Sequence, residues 1–363
     1  MKTSTNSLII LTAGGTGGHI YPAESLAVEL LHRGFQVAFY TDSRGLSNYQ
    51  GILKDLPTTS ILSGSVVGKS FATKILSLSK VALGVCQAIY YMLRHRPRAV
   101  VGFGGYASFP TALAAVCLRI PLVIHEQNSV MSRTNRLLAR FATRTAQSFR
   151  NARNTPVQAK QFLSGMPIRA NIVQLYSHLY TPHDDKFNLL ILGGSQGAKI
   201  FAEVIPQAIA MFDCEIQKKL HITQQCRKGD EEVLQKTYQS MACTTTISPF
   251  FTDMFQLYTQ TDLMITRAGA SSVYEIAAAG IPSIMVPLPT AADNHQYYNA
   301  KELSDHGGTI LIEQKDLTAE LLHRQIATLI ADKQKLCELS INAKKCAIID
   351  APTRLADEII KLI

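Results

Sequence analysis

The chain predicts an α/β fold of two doubly wound parallel sheets. Three observations predict it. An apolar strand that runs into glycines and out into a helix occurs three times, opening at Leu8, Ala99 and Leu189. Strand and helix signals alternate along most of the length, the pattern of parallel sheets covered by helices on both faces. The chain has 363 residues, long for one core, so two domains are expected.

In the first unit, the strand Leu8 to Leu11 leads into Ala13–His19 (AGGTGGH) and an amphipathic run, Tyr21 to Leu31. Four glycines within five residues let the backbone take positive φ and approach a ligand closely. Free N–H groups and the positive end of a helix dipole converge there, which suits an anion. His19 sits where loop becomes helix, beside that point. Gln36 to Tyr40 follows as a short strand, and Val66 to Arg98 as loop plus helix. The helix has surplus apolar residues, with Leu76, Leu83 and Tyr90 at seven-residue steps beside the core-facing set. Lys69, Lys74, Lys80 and Arg94 flank them, so core packing and an interfacial membrane contact are both open.

Ala99 to Val101 opens onto the second glycine loop, Gly102 to Ser108. Leu122 to Ile124 ends in His125-Glu126-Gln127-Asn128. Four polar side chains at a strand's carboxyl end mark a site, because ligands of open α/β sheets bind there. Arg133 to Arg144 is a basic helix or turn. Around Ser164 to Ala170 the alternation pauses and the charge balance changes sign. This sets a first domain over 1–166, a second over 167–350, and a tail helix over 351–363 whose partner is left open, packing back on the first domain being one option.

The second half repeats the device. Leu189 to Leu192 leads into Gly193–Ala198 (GGSQGA) and a helix, Ile200 to Phe212. His221 to Thr223, Thr245 to Ile247, Leu263 to Thr266 and Ser283 to Val286 read as strands. The run Arg267–Ser272 and the helix Val273 to Ala279 follow the third of these. Two such halves suit a ligand held in a cleft between domains.

Composition narrows the function. Hydrophobic content is 47% and charged content 17%, as in globular proteins. Seven scattered cysteines without a CxxC argue against a disulfide framework or zinc site and for a reducing compartment. No signal peptide is expected. The longest apolar stretch is taken as Thr111 to Ile124, broken by Arg119 and Pro121, so no membrane-spanning segment is expected. The net charge of +9 is uneven. Residues 1–170 hold 19 Lys and Arg against 5 Asp and Glu, a balance of +14; the remainder is −5. A basic half attracts nucleic acid or an anionic membrane surface. No loop has the GxGxxG spacing of dinucleotide binding, Asp42 is only loosely placed for a ribose, and no Walker A lysine or DxD appears. A diphosphate would then be met by helix N-termini, hydroxyls and arginine.

GGTGGH, GGYAS, HEQN, GGSQGA, RAGASSVYEIAAAG and DNHQ, in that order, resemble the MurG family over nearly the whole chain. The resemblance implies two Rossmann-like domains facing a cleft (GT-B) and an inverting glycosyltransferase of peptidoglycan biosynthesis. The donor would be UDP-N-acetylglucosamine and the acceptor the muramoyl C4 hydroxyl of lipid I, giving lipid II. It implies donor contacts at Thr16, Gly17, Gly18, Asn128, Arg169, Ser195, Phe251, Ala270, Ser271, Ser272, Val273, Tyr274, Glu275, His295 and Gln296. Glu275 would take the ribose and the Phe251 backbone the uracil. Gly104, Gly105, Tyr106 and Ser108 would hold the acceptor diphosphate, and His19 or Glu126 would be the base. No cofactor or metal is required, a divalent cation being kept only as a stimulator. The partners expected are anionic inner-membrane lipids and cell-wall synthesis proteins, not nucleic acid, and the place is the cytoplasmic face of the inner membrane. Three departures stand out: Met166 precedes Pro167 where the family usually has Asn, Ser271-Ser272 replaces a common Leu-Thr, and Phe251 stands where Ile is frequent. Another GT-B enzyme, a 2-epimerase, an NAD-dependent oxidoreductase and a non-catalytic sugar-nucleotide binder are the rivals.

Overall fold

The computed structural model describes residues 7–14, 17–43, 51–64, 71–150, 152–194 and 197–363, with only the backbone of 71–75. Thr16, Ser195, Lys69 and the side chain of Lys74 therefore lie outside the described residues. The chain forms two compact units, Met1–Arg169 with Ile348–Ile363, and Ala170–Ala347. The first division falls after Arg169 rather than Met166, and the return comes at Ile348 rather than Ala351.

The first unit runs β1 (Leu8–Thr12), α1 (Gly17–His32), β2 (Gln36–Thr41), β3 (Thr58–Ser60), α2 (Phe71–His95), β4 (Ala99–Gly102), α3 (Phe109–Cys117), β5 (Leu122–Glu126), α4 (Arg133–Leu138), β6 (Arg144–Gln147) and β7 (Gln161–Leu163). Its seven strands lie in the order β3-β2-β1-β4-β5-β6-β7, each pairing parallel. Successive side chains of a strand point to opposite faces. Ile9 and Leu11 accordingly enter one apolar layer with Leu26 and Leu30 of α1, and Ile10 enters the other with Ala88 and Met92 of α2. Burial on both faces is why β1 reads as a continuous apolar run.

The second unit runs α5 (Ala170–Gln174), β8 (Phe187–Leu192), α6 (Lys199–Ala210), α7 (Cys214–Lys219), β9 (Leu220–Gln225), α8 (Glu231–Tyr238), β10 (Thr244–Ser248), α9 (Met254–Gln260), β11 (Leu263–Thr266), α10 (Ala270–Ala279), β12 (Ser283–Met285), α11 (His295–Ser304), β13 (Ile310–Leu311), α12 (Ala319–Ala331) and α13 (Lys333–Lys345). Its sheet is β10-β9-β8-β11-β12-β13, again parallel. The last helix, α14 (Ala351–Ile360), belongs to the first unit. Its Leu355, Ala356 and Ile359 are fully buried in the layer that holds Ile9 and Leu30. Arg33 donates to Asp357 at 2.5 Å and Arg144 to Glu358 at 2.6 Å, fastening its rim.

In each sheet the strand order reverses once, between β1 and β4 and between β8 and β11. Loops leaving the carboxyl ends on either side of such a reversal diverge and leave a crevice, where ligands of open α/β sheets bind. The glycine loops emerge there. Pairing of Thr12 with Gly102 and of Leu192 with Thr266 sets them side by side.

One sequence expectation is corrected. Leu76–His95 of α2, not Thr111 to Ile124, is the long apolar segment, and by length and composition it is sufficient to cross a membrane. The structure lays it along the first unit. Ser77, Gly84, Ala88 and Met92 face inward and Leu76, Leu83, Tyr90 and Leu93 face out. Val85, Ile89 and Tyr91 pack partly against the core as well, so the helix is apolar on its outer face in addition to its inner one.

Candidate active site

The imidazole of His19 lies on a floor of glycine. Gly104 and Gly105 have φ of +84° and +77°, a region where L side chains are strained. A Cβ on Gly105 would stand 3.1 Å from Gly14 Cα and 3.4 Å from His19 Cδ2; one on Gly104 would stand 3.5 Å from His19 Cε1. Gly14 N–H donates to the Gly104 carbonyl at 3.2 Å, which locks the two loops together. Loss of solvent lowers the His19 pKa, against the opposing pull of the Glu126 charge, the Gln127 side chain and the Phe103 carbonyl. The ring is therefore neutral near pH 7, as a general base must be. Its Nδ1 is buried with no partner at full hydrogen-bond geometry, the Gln127 side chain and the Phe103 carbonyl being the acceptors beside the ring.

Glu126, at the end of β5, is fully buried. One carboxylate oxygen accepts from Asn128 N at 3.1 Å and Asn128 Nδ2 at 3.4 Å; the other accepts from Ser132 N at 2.9 Å and Asn135 Nδ2 at 2.8 Å. Four N–H groups around one buried carboxylate satisfy its lone pairs and hold it in place. The Asn128 amide is thereby oriented, and so is the start of α4, which Ser132 caps. His125 and Gln127 flank this group, both buried.

Of the other expected residues in this unit, Gly17 and Gly18 are exposed at the first turn of α1, and nothing lies within 4 Å of where a Gly18 Cβ would be. Tyr106 is half-buried. Ser108 is buried and donates to the Gly105 carbonyl at 3.0 Å, so its hydroxyl shapes the loop. The Arg169 guanidinium stacks 4.3 Å over the Tyr21 ring, and its charge acts on Glu24. Ser25 donates to the Ile168 carbonyl at 2.9 Å, which ties this stretch to α1.

In the second unit, Gly193 N–H donates to Gln225 Oε1 at 3.1 Å, and a Cβ on Gly193 would fall 2.2 Å from Ala198 N. Only glycine fits that turn. Beside it, α10 begins after Gly269 with no side-chain cap, so its first N–H groups are left for a ligand. Ser271 Oγ is buried without a partner, and Ser272 is half-buried. Ala270 and Tyr274 are buried; the Val273 side chain is wholly buried and its N–H donates to the Gly269 carbonyl at 3.0 Å. Glu275 is 7% exposed and accepts the Tyr258 hydroxyl at 2.9 Å. Gln296 Oε1 accepts from Ala268 N at 3.2 Å and Leu288 N at 3.0 Å, drawing the loops after β11 and β12 together. Just before it, Asp293 and Asn294 hold φ of +51° and +54°, strain of the kind that clusters at functional loops. His295 Nδ1 lies 2.8 Å from the Ala292 carbonyl. Phe251 is half-buried, next to Asp253, which caps α9.

The structure adds residues that sequence reasoning left out. Arg267 is buried, donates to the carbonyls of Val286 and Pro287 at 3.0 and 3.1 Å and to Gln314 at 2.6 Å, and stacks over Phe201. It stood in the quoted RAGASS run, where its clamp role had no signal of its own. Asn299, fully buried, donates to the Ala268 carbonyl at 3.1 Å and had no signal at all. Among the described residues no group of three or more His, Cys, Asp and Glu side chains could hold a metal ion.

Two parallel sheets whose glycine loops meet at the reversal points, with an imidazole at one and an uncapped helix start at the other, place the chain in the two-sheet α/β class that binds ligands at such crevices. Residues 9–147 match the glycosyltransferase family 28 N-terminal domain and residues 188–355 its C-terminal domain. A UDP-N-acetylglucosamine--N-acetylmuramyl-(pentapeptide) pyrophosphoryl-undecaprenol N-acetylglucosamine transferase of Rhodospirillum rubrum is 43% identical, over 96% of this chain and 90% of its own. A protein of the same description from Rhodopseudomonas palustris is 40% identical, over 98% of each. The Acinetobacter baumannii MurG structure superimposes with a TM-score of 0.80 at 34% identity, over 98% of this chain and 99% of that one. A UDP-GlcNAc 2-epimerase from Neisseria meningitidis, at 12% identity and a TM-score of 0.68, shares the fold. The chain belongs to the MurG family of glycosyltransferases.

Proposed function

We propose that this chain transfers N-acetylglucosamine from UDP-N-acetylglucosamine to the C4 hydroxyl of the muramoyl sugar of lipid I, forming lipid II. The observation that carries the chemistry is the imidazole of His19 seated on Gly104 and Gly105, its pKa lowered by loss of solvent. The acceptor oxygen attacks the anomeric carbon, the bond to UDP breaks on the opposite face, and His19 takes the hydroxyl proton. Glu126 positions rather than accepts, since four N–H groups already occupy its buried carboxylate. Charge on the departing UDP is met by the start of α10, by hydroxyls and by Arg169; no cofactor is required, and a divalent cation at most stimulates. The test is transfer of labelled N-acetylglucosamine to a lipid I analogue. His19→Ala should lower kcat by about 10²–10⁴-fold while UDP still binds; near-normal turnover would remove His19 from the role.

The same reading places the enzyme peripherally on the cytoplasmic face of the inner membrane, where its lipid acceptor resides. The outward apolar stripe of α2, with exposed Lys80 and Arg94, supports docking on anionic lipid.

A further inference from the structure

Gln127 is buried and lies beside the His19 ring. Its amide has a fixed orientation. Nε2 lies 2.7 Å from the Phe103 carbonyl, which can only accept, so that atom is the donating nitrogen. Nε2 also lies 3.1 Å from His125 Nδ1, which must then accept as well. His125 consequently carries its proton on Nε2, which lies 3.1 Å from the Gly165 carbonyl and 3.4 Å from Ser148 Oγ. The chain of donors runs in one direction, from Gln127 to His125 to Gly165. It leaves Gln127 Oε1 able to accept; Oε1, Asn135 Nδ2 and His19 Cε1 stand 3.7, 3.6 and 3.5 Å from the same point above Gly104.

We propose that Gln127 is the positioning residue for the base: with the Phe103 carbonyl it holds the His19 proton on the buried Nδ1, leaving Nε2 to accept the proton of the attacking hydroxyl. The proposal rests on His19 being the base. Nδ1 is the ring nitrogen withdrawn from solvent, and both groups beside the ring can accept its N–H. Hydrogen bonds at a catalytic base are commonly loose before substrate arrives and tighten in the complex. Neutral His125 keeps the arrangement locked, since a proton on its Nδ1 would oppose the Gln127 amide and turn its donors toward His19. Burial holds the His125 pKa down to about 4, with the nearby His19 acting in the same direction and the Gly165 carbonyl against it. Glu126 and His19 are the titratable neighbours of this pair, and Asn135 and Ser148 the uncharged polar ones.

The test compares Gln127→Met and Gln127→Glu, alike in size and opposite in what they offer His19. Ring-nitrogen NMR of 15N-histidine-labelled enzyme reads the tautomer without requiring turnover. The wild type should show His19 protonated on Nδ1, and Gln127→Met a mixture or the Nε2–H form. In the pH profile of kcat, Gln127→Met should move the acid limb to lower pH, because a group that stabilises imidazolium is gone. Gln127→Glu should move it to higher pH. The loss in kcat for Gln127→Met should be roughly 10–10²-fold, part of what a positioned base supplies, with donor KM unchanged. An unchanged tautomer in Gln127→Met, or limbs moving the same way in both variants, overturns the proposal. If His19→Ala keeps its turnover, the base assignment fails instead, and the NMR result still decides whether Gln127 sets the tautomer.

Discussion

At the scale of single residues, the first unit keeps a histidine neutral in its core. His125 has a folded pKa of about 4, below the ordinary value near 6.5 of an unfolded chain. Between these values the unfolded chain binds the extra proton, so stability falls as pH drops from about 6.5 to about 4. The loss approaches about 3 kcal/mol at about 1.4 kcal/mol per pH unit. His125→Gln should flatten this part of a urea-melt pH series; the same slope in that variant would assign it to another group. In the second unit, Glu275 is read as the ribose ligand, a charged acceptor worth about 1.5–3 kcal/mol. Glu275→Ala should weaken UDP binding by about 10-fold to 150-fold in calorimetry. Tyr258 donates to the same carboxylate, so Tyr258→Phe is the control that reports loss of orientation alone. Full UDP affinity in Glu275→Ala would end the ribose assignment.

At the scale of elements, α2 carries the surface proposed to dock on lipid. Leu76, Leu83 and Tyr90 are each more than half exposed on one stripe. Arg140 and Phe141, just beyond α4, are exposed too, and Arg136 is half-buried. Each basic residue near an anionic leaflet contributes on the order of 1 kcal/mol, fading within a Debye length. Binding to anionic vesicles should therefore fall steeply with salt. Leu76→Glu should weaken it while turnover on a short, water-soluble acceptor is kept. Co-sedimentation that is equal on neutral and anionic vesicles would refute docking by this surface. The seven-residue recurrence made the surplus apolar face legible in sequence, because helical geometry is local. The strands that run into glycine loops were legible for the same reason: β1, β4 and β11 begin where the apolar runs do, and β8 two residues earlier. Strand order was not, since which strands become neighbours depends on contacts far apart in the chain. The work done by Glu126 was hidden likewise. Its four donors come from Asn128, Ser132 and Asn135, and only the turn before α4 brings them around it. Arg267 and Asn299 hold backbone carbonyls, and such partners carry no sequence signature.

At the scale of the whole molecule, the chain leaves the first unit after Arg169 and returns to it at Ile348. Leu355 of α14 is fully buried against that unit's core. Leu355→Ala should destabilise the first unit by about 2–5 kcal/mol, the range for truncating a buried leucine. Hydrogen exchange would show β1 and α1 losing protection while β8 and β11 keep theirs; equal loss in both units would mean they unfold as one. The return also imposes an order of events during synthesis. Domains generally fold as they emerge, the earlier one first. Here the earlier unit waits: its seven strands are made first, yet the helix that covers Ile9 and Leu30 is made last. The second unit, a continuous run from Ala170 to Ala347, has all its parts while the first still lacks the share of its apolar layer that α14 covers. A chain released before Ile348 would therefore hold every element of the second unit while the first lacked α14, and a chaperone would find exposed apolar surface on the first unit.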